Sequence, residues 1–308
     1  MYKVRQMEIE AGMSVEALVD SMEHCGFGAR RLAESVKIYE EMLSGEYTKF
    51  FALSGAMVPA GLRNVVSDLI RNGHIDVLVT TGANLVHDII ESFGFHCLGV
   101  PESNDAALRA EGISRIYDVF LRDEDFIQFE ELMQSILPNK AETISGVELM
   151  KYLGGQISDR KSILRSAYDM GVPVFCPALP DSMIGLQAWL HSQSKRLIVD
   201  AFADIKQIVD ICYESSNSGV VIIGGGVPKN FTLQSMLVTP KSFDLAIQLT
   251  TDTPENGGLS GATLSEAISW GKISAEAKYV TVYGDATITF PVMVAAALSR
   301  LDKRLSRS

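Results

Sequence analysis

Cysteine is scarce in this sequence: Cys25, Cys97, Cys176 and Cys212 are the only four in 308 residues, and no two form a CxxC pair. That excludes a thiolate zinc site and a disulfide scaffold, and it reads the four as reduced thiols. Histidine is equally thin, with five residues and no HExxH. The closest two, His87 and His96, fall in different expected elements, so no metal is expected. Long apolar runs are missing too. "VVII" at 220–223 is far below the roughly 20 residues that cross a bilayer, and the N-terminus shows no basic-then-apolar leader. The expected location is therefore the cytoplasm. Positive charge is in deficit, with 27 Lys and Arg against 38 Asp and Glu, a net charge of −11. Nucleic-acid binding draws its affinity from cationic side chains on phosphates, so it is not expected here. A cationic partner fits the charge better, although an acidic excess also serves solubility alone.

What is present describes an ordinary folded protein. Apolar residues make up 47% and charged residues 21%, which excludes disorder. The length supports a large core, with one large domain preferred over two. Residues 14–44 read as one or two helices interrupted at "CGFG", with Val15, Leu18, Val19 and Met22, then Leu32, Val36, Tyr39 and Leu43, at three- and four-residue spacing. From there strands and helices alternate. Strand-like "KFFALS", "IDVLVTTG", "VPVFCPAL", "GVVIIGGG", "FDLAIQLTT" and "KYVTVYG" are separated by helical stretches, among them 183–194, 201–214 and 263–270, and an apolar helix follows Asp285. Near-continuous apolar strands between helices imply an α/β fold, a Rossmann-like and mostly parallel sheet covered by helices on both faces. No repeat or low-complexity linker interrupts it. Residues 1–47 are read as an N-terminal helical extension and 48–308 as one catalytic domain.

Ligands of such sheets bind at the carboxyl ends of strands, where glycine-rich turns let phosphates approach backbone amides. Three such ends occur: "ALSGAMVPAG" (52–61), "VTTGANLVHD" (79–88) and "IIGGGVPKN" (222–230). None is GxGxxG, and each alone is equally a tight turn. Together they suggest a dinucleotide. Asp88, on the helix after the second end, is a candidate for a ribose hydroxyl, and no arginine follows it closely, which favours NAD over NADP.

The stretch "SEAISWGKISAEA" (265–277) places Lys272 directly after Trp270 and Gly271. Read as helix, it offers Lys272 an ordinary partner in Glu276, four residues on. A lysine beside an aromatic at a glycine-weakened helix end also suits imine formation, which needs a neutral amine in a partly desolvated place. Glu266 carries two readings as well. Thr263-Leu264-Ser265-Glu266 is a capping box, and Glu266 and Trp270 also share a helix face able to take a cationic amine.

The series "DVLVTTGANLVHD", "PVFCPALPDS", "IIGGGVPKN", "GGLSGATLSEAISWGKI" and "VTVYGDATITFP" resembles the deoxyhypusine synthase family, in order and from about residue 48 to 300. The resemblance implies a Rossmann-like domain with an N-terminal helical extension, assembled as a homotetramer. It implies NAD-dependent oxidation of spermidine and transfer of its aminobutyl group, through an imine on Lys272, to a lysine of translation initiation factor 5A or its archaeal counterpart. Glu266, Trp270, Asn230 and Asp181 match substrate-binding positions, and Thr81, Asp88, Gly224, Gly225, Gly226, Lys229 and Asp285 match cofactor positions.

The departures concern the amine. Family members carry histidines where this chain has Asn230 and Phe231, an asparagine where it has Ala56, and in eukaryotic members acids where it has Leu186 and Leu259. Asparagine hydrogen-bonds but does not titrate. A homospermidine-synthase-like or agmatine-using transferase and a catalytically silent paralogue therefore stand beside the protein-modifying enzyme.

Overall fold

The computed structural model describes residues 3–139 and 142–306. They form two compact units, one made of the chain through Leu53 and from Gln207 onward, the other of Ser54–Lys206.

In the first unit the strands Thr48–Leu53, Ser218–Ile223, Phe243–Thr250 and Ile273–Tyr283 lie side by side in that order, all parallel. The register pairs Thr48 with Ser218 and Leu53 with Ile223, and Ile247 with both Val221 and Val280. Every residue of Ser218–Ile223 is buried. An apolar run rather than an alternating pattern is what a strand covered on both faces requires. Successive side chains take opposite faces: Phe50 meets Phe243 edge-on at 5.2 Å between ring centroids, and Phe51 meets Phe290 of the C-terminal helix at 5.5 Å. The helices Val15–Met22, capped by Ser14, and Phe27–Ser44 pack with Ala286–Leu305. Arg300 ties them by bridging Asp20 and Glu40.

The second unit holds the parallel pair Val77–Thr80 with Val174–Phe175 and a second parallel pair, Glu142–Ser145 with Leu197–Asp200. It also holds an antiparallel sheet ordered Cys97–Leu98, Val119–Arg122, Ile113–Ile116. Its hairpin turns at Tyr117, a non-glycine residue at φ 55°.

Two expectations are corrected. The strand read in "VPVFCPAL" is only Val174–Phe175, because Pro173 and Pro177 flank it and proline has no N–H to give the ladder. The helix expected over 263–270 is Leu264–Ser269, and helical spacing does not run on through "SEAISWGKISAEA" to Glu276. Trp270 is its C-cap, Gly271 turns the chain at φ 71°, and the final strand begins at Ile273, five residues before "KYVTVYG". Lys272 and Glu276 therefore do not share a helix, and the spacing that made them ordinary partners does not operate. Among the described residues no helix is long and apolar enough to cross a membrane.

Candidate active site

Lys272 sits in the turn between the helix Leu264–Ser269 and the strand Ile273–Tyr283. Its backbone is locked at both ends: its N–H donates to the Ala267 carbonyl at 2.9 Å, and its own carbonyl accepts from Phe243 N–H at 3.1 Å. The ammonium lies 5.8 Å from the centroid of the Trp270 ring, which is itself 68% exposed. No described carboxylate pairs with it. Glu266 forms the capping box that its spacing predicts, with Thr263 Oγ1 accepting from Glu266 N–H at 3.2 Å and Glu266 Oε1 accepting from Thr263 N–H at 3.0 Å. Thr263 holds the Glu266 carboxyl below the usual range, chiefly by that backbone bond, with the Lys229 charge helping. Both readings of Glu266 survive, because the cap uses Oε1 and the second oxygen keeps its lone pairs.

The glycine turn follows the strand Ser218–Ile223. Gly224 at φ 71° and Gly226 at φ 57° hold left-handed backbone that an L side chain strains to reach. Gly225 serves a packing purpose instead, since a Cβ there would stand 2.3 Å from Ser260 Cα. Lys229, on the helix Gly226–Gln234, is 3% exposed. Its ammonium donates to Gln248 Oε1 at 3.1 Å, to the Leu259 carbonyl at 3.0 Å and to the Ala262 carbonyl. An ammonium has three N–H groups, and all three are taken. Burial pushes its pKa down to about 8, with Glu266 acting against the shift and Lys272 adding to it. In this arrangement the Lys229 ammonium has no donor left for a phosphate or a ribose, and its assignment to the cofactor rests on the resemblance alone.

Asp88 is saturated in the same way. It is 0% exposed. Oδ1 accepts from Arg63 Nε at 2.7 Å and Ile163 N–H at 2.8 Å, and Oδ2 accepts from Ser162 Oγ at 2.7 Å and Leu164 N–H at 3.0 Å. Four bonds fill a carboxylate, so none is left for a ribose. The charge compensates the amino end of the helix Ile163–Met170. Burial works against the Arg63 cation, yet Asp88 and Asp159 outweigh it and raise its pKa.

Asp285 keeps spare capacity. It is exposed and caps Ala286–Leu305 by accepting from Thr287 N–H at 2.8 Å through Oδ1 alone. Gly224 N–H donates to Leu249 O and Gly284 N–H to Thr250 O, which gathers the glycine turn and Asp285 at the carboxyl ends of the parallel strands. Lys272 starts the strand that Asp285 follows and so enters the sheet at its other end. Asn230, half-buried, donates to Gln234 Oε1 at 3.1 Å. In the second unit Thr81 caps Gly82–Ile90 by accepting from Asn84 N–H at 3.4 Å, and Asp181 is exposed in the turn before Met183–Lys195. Ala56 is half-buried, whereas Leu186 and Leu259 are both exposed.

Three features escape the sequence reading. Gln248, fully buried in the middle of a strand, joins Lys229 to the glycine turn; a lone amide inside "FDLAIQLTT" is the signal that marked it. Arg63 needs Asp88 beside it before it means anything. His87 and His96, assigned to different elements, meet at 2.9 Å between Nδ1 and Nε2, and His96 Nδ1 bonds Glu91. Burial, with His96 adding to it, pushes the His87 pKa down to about 4. Among the described residues no three His, Cys, Asp or Glu side chains are grouped to hold a metal.

A parallel α/β sheet with a glycine turn at the carboxyl end of a strand and a lysine, an aromatic and a carboxylate gathered around one short helix is the class this geometry defines. The family model of deoxyhypusine synthase matches residues 17–297. A probable deoxyhypusine synthase 1 of Methanosarcina acetivorans is 57% identical over 306 residues, covering 98% of this chain and 96% of its own length. A probable deoxyhypusine synthase 1 of Archaeoglobus fulgidus is 46% identical over 299 residues, covering 97% and 98%. The crystal structure of a putative deoxyhypusine synthase from Entamoeba histolytica superposes with a TM-score of 0.68 at 17% identity, over 96% of this chain and 97% of that one, a likeness of fold. The chain belongs to the deoxyhypusine synthase family, a family of transferases.

Proposed function

We propose that the chain is an NAD-dependent aminobutyl transferase that takes spermidine as donor, works as a homotetramer and delivers the group to a lysine of translation initiation factor 5A or its archaeal counterpart. The observation that carries the reading is Lys272, its ammonium 5.8 Å from the Trp270 ring centroid and without a described carboxylate partner. An amine so placed is available to form an imine, where one locked in an ion pair is not. Trp270 offers a π-face to a protonated polyamine, and Glu266 Oε2 an anion to its ammonium. NAD would supply the hydride acceptor. The residues fit it in part: Gly226 and Asp285 offer open backbone and a spare carboxylate oxygen at the carboxyl ends of the strands, with nothing within 4 Å of a Cβ built at Gly226. Thr81 and Asp181 remain proposed contacts of the second unit, for cofactor and substrate respectively.

A different amine is the second reading. Leu186 and Leu259, both exposed and apolar, offer no carboxylate to a di- or trication, which favours an amine of lower charge than spermidine. Incubation with NAD and labelled spermidine followed by borohydride reduction is expected to label the peptide 265–277, and Lys272→Ala and Lys272→Arg to abolish the label. Label elsewhere, or label that persists in Lys272→Ala, refutes the assignment. Adding the factor protein or putrescine before reduction shows which acceptor discharges the lysine.

A further inference from the structure

We propose that Lys229 and Gln248 are positioning residues: a buried clamp that ties the 224–226 turn to residues 259–262 and thereby sets where Glu266, Trp270 and Lys272 stand. Its functional meaning rests on the reading of Lys272 above.

Three carbonyls of the 259–262 segment are caught at once. Lys229 Nζ donates to those of Leu259 and Ala262, and Ser260 O accepts from Gln248 Nε2 at 2.9 Å and from Thr250 Oγ1 at 3.2 Å. The other N–H of the Gln248 amide donates to Gly224 O at 2.8 Å, while Gln248 Oε1 accepts from Lys229. One amide thus holds the glycine turn, the ammonium and the loop together. The backbones it joins touch, since a Cβ on Gly225 would meet Ser260 Cα at 2.3 Å. Loop residues 251–262 have one short helical turn of their own, Pro254–Asn256, and are largely exposed. Their placement therefore depends on what they are tied to.

The tie reaches the chemistry along the chain. Residue 262 leads straight into Thr263, the N-cap of Leu264–Ser269, and that helix is 6 residues long. Glu266 lies in its first turn, Trp270 caps it, and Lys272 N–H is bonded to Ala267 O. A shift at Ser260 is passed on to all three. Loss of either partner leaves buried acceptors unsatisfied, which makes the clamp an all-or-none arrangement.

The ammonium also makes the clamp sensitive to pH. The charged groups that act on it are Glu266, which favours its proton, and Lys272, which opposes it; burial outweighs both and brings the pKa to about 8. A neutral amine has two N–H groups for three acceptors, so the loop loosens as the pH rises past that value.

Hydrogen exchange of the full-length protein reads this without any substrate. At pH 7.5, Lys229→Met and Gln248→Leu are expected to speed exchange of peptide 251–263 at least tenfold over the parent while the strand Ser218–Ile223 stays protected. In the parent, exchange of that peptide, corrected for intrinsic rate, is expected to rise above pH 8. Glu266→Gln, which can keep the capping box and removes the anion that favours the proton on Lys229, is expected to move that rise to lower pH. Parent-like protection in Lys229→Met, or an unmoved rise in Glu266→Gln, overturns the clamp; should Lys229→Met not fold, the Glu266→Gln titration decides. Borohydride labelling separates the two readings: at least tenfold less label on Lys272 in Gln248→Leu links the clamp to the site. Absence of label in the parent with the expected exchange removes the transfer reading and leaves the clamp.

Discussion

Lys229 and Lys272 belong to one unit and are opposites. Lys229 is buried, with its three N–H groups donated to its own chain. Lys272 is half-buried, with its ammonium over an aromatic ring and no described anion. Asp88 and Asp285 repeat the contrast among the acids, one with four bonds to its oxygens and the other with one. The difference teaches how to sort the charged residues of such a protein. A group whose hydrogen-bonding capacity is exhausted by its own chain holds structure, and a group with capacity to spare is available to a ligand.

The sharpest way to break the comparison is to truncate one member of each kind. Asp88→Ala leaves Arg63 charged without its nearest partner and removes the anion at the start of Ile163–Met170. Breaking a buried pair costs about 3–5 kcal/mol, so urea unfolding is expected to show a loss of that size. Lys272→Ala, by contrast, is expected to change the unfolding free energy by less than about 1 kcal/mol while abolishing label. A small loss in Asp88→Ala would show that its saturated bonds are not what they are taken to be.

His87 tests the rule on a buried titratable group. Its pKa falls from 6.5 to about 4 in the folded protein, so between those values the unfolded chain holds a proton that the folded one refuses. The stability it contributes is complete above pH 6.5 and is lost as the pH falls toward 4. At about 1.4 kcal/mol per pH unit the effect has an upper bound of about 3.5 kcal/mol. Glu91, held below its ordinary value chiefly by the His96 bond, adds loss at lower pH in the same direction. His87→Phe is expected to flatten the decline between pH 6.5 and 4 in denaturation series, and an unchanged slope would place the proton elsewhere.

Trp270 gives the smallest effect. An exposed cation–aromatic contact is worth about 0.5–1 kcal/mol, so Trp270→Ala is expected to raise KM for the polyamine about two- to fivefold, with Trp270→Phe between. A change confined to kcat would move Trp270 from holding the amine to aligning it.

Much of the fold was legible in the residues. "KFFALS" and "GVVIIGGG" are strands because an uninterrupted apolar run of that length has no other comfortable state in a parallel sheet. "CGFG" separates two helices, Asp285 caps the last one, and Thr263 with Glu266 builds the box its spacing announces. The hairpin across Tyr117 went unread, because its strands are 4 residues each and half-buried, too short for a pattern to stand out.

The sequence by itself determined the family, the main alternation of strands and helices, and the capping box of Thr263 and Glu266, since each depends on residues a few positions apart. Tertiary structure alone decided which charged groups are saturated. Asp88 receives its bonds from Arg63, 25 residues earlier, and from Ser162, Ile163 and Leu164, 74 to 76 residues later. Lys229 receives its partners from positions 19, 30 and 33 residues on. Spacing along a chain reports what one helix or strand brings together. Whether a carboxylate or an ammonium has a lone pair or a proton left over depends on what distant segments bring to it, and that is known only when they have packed.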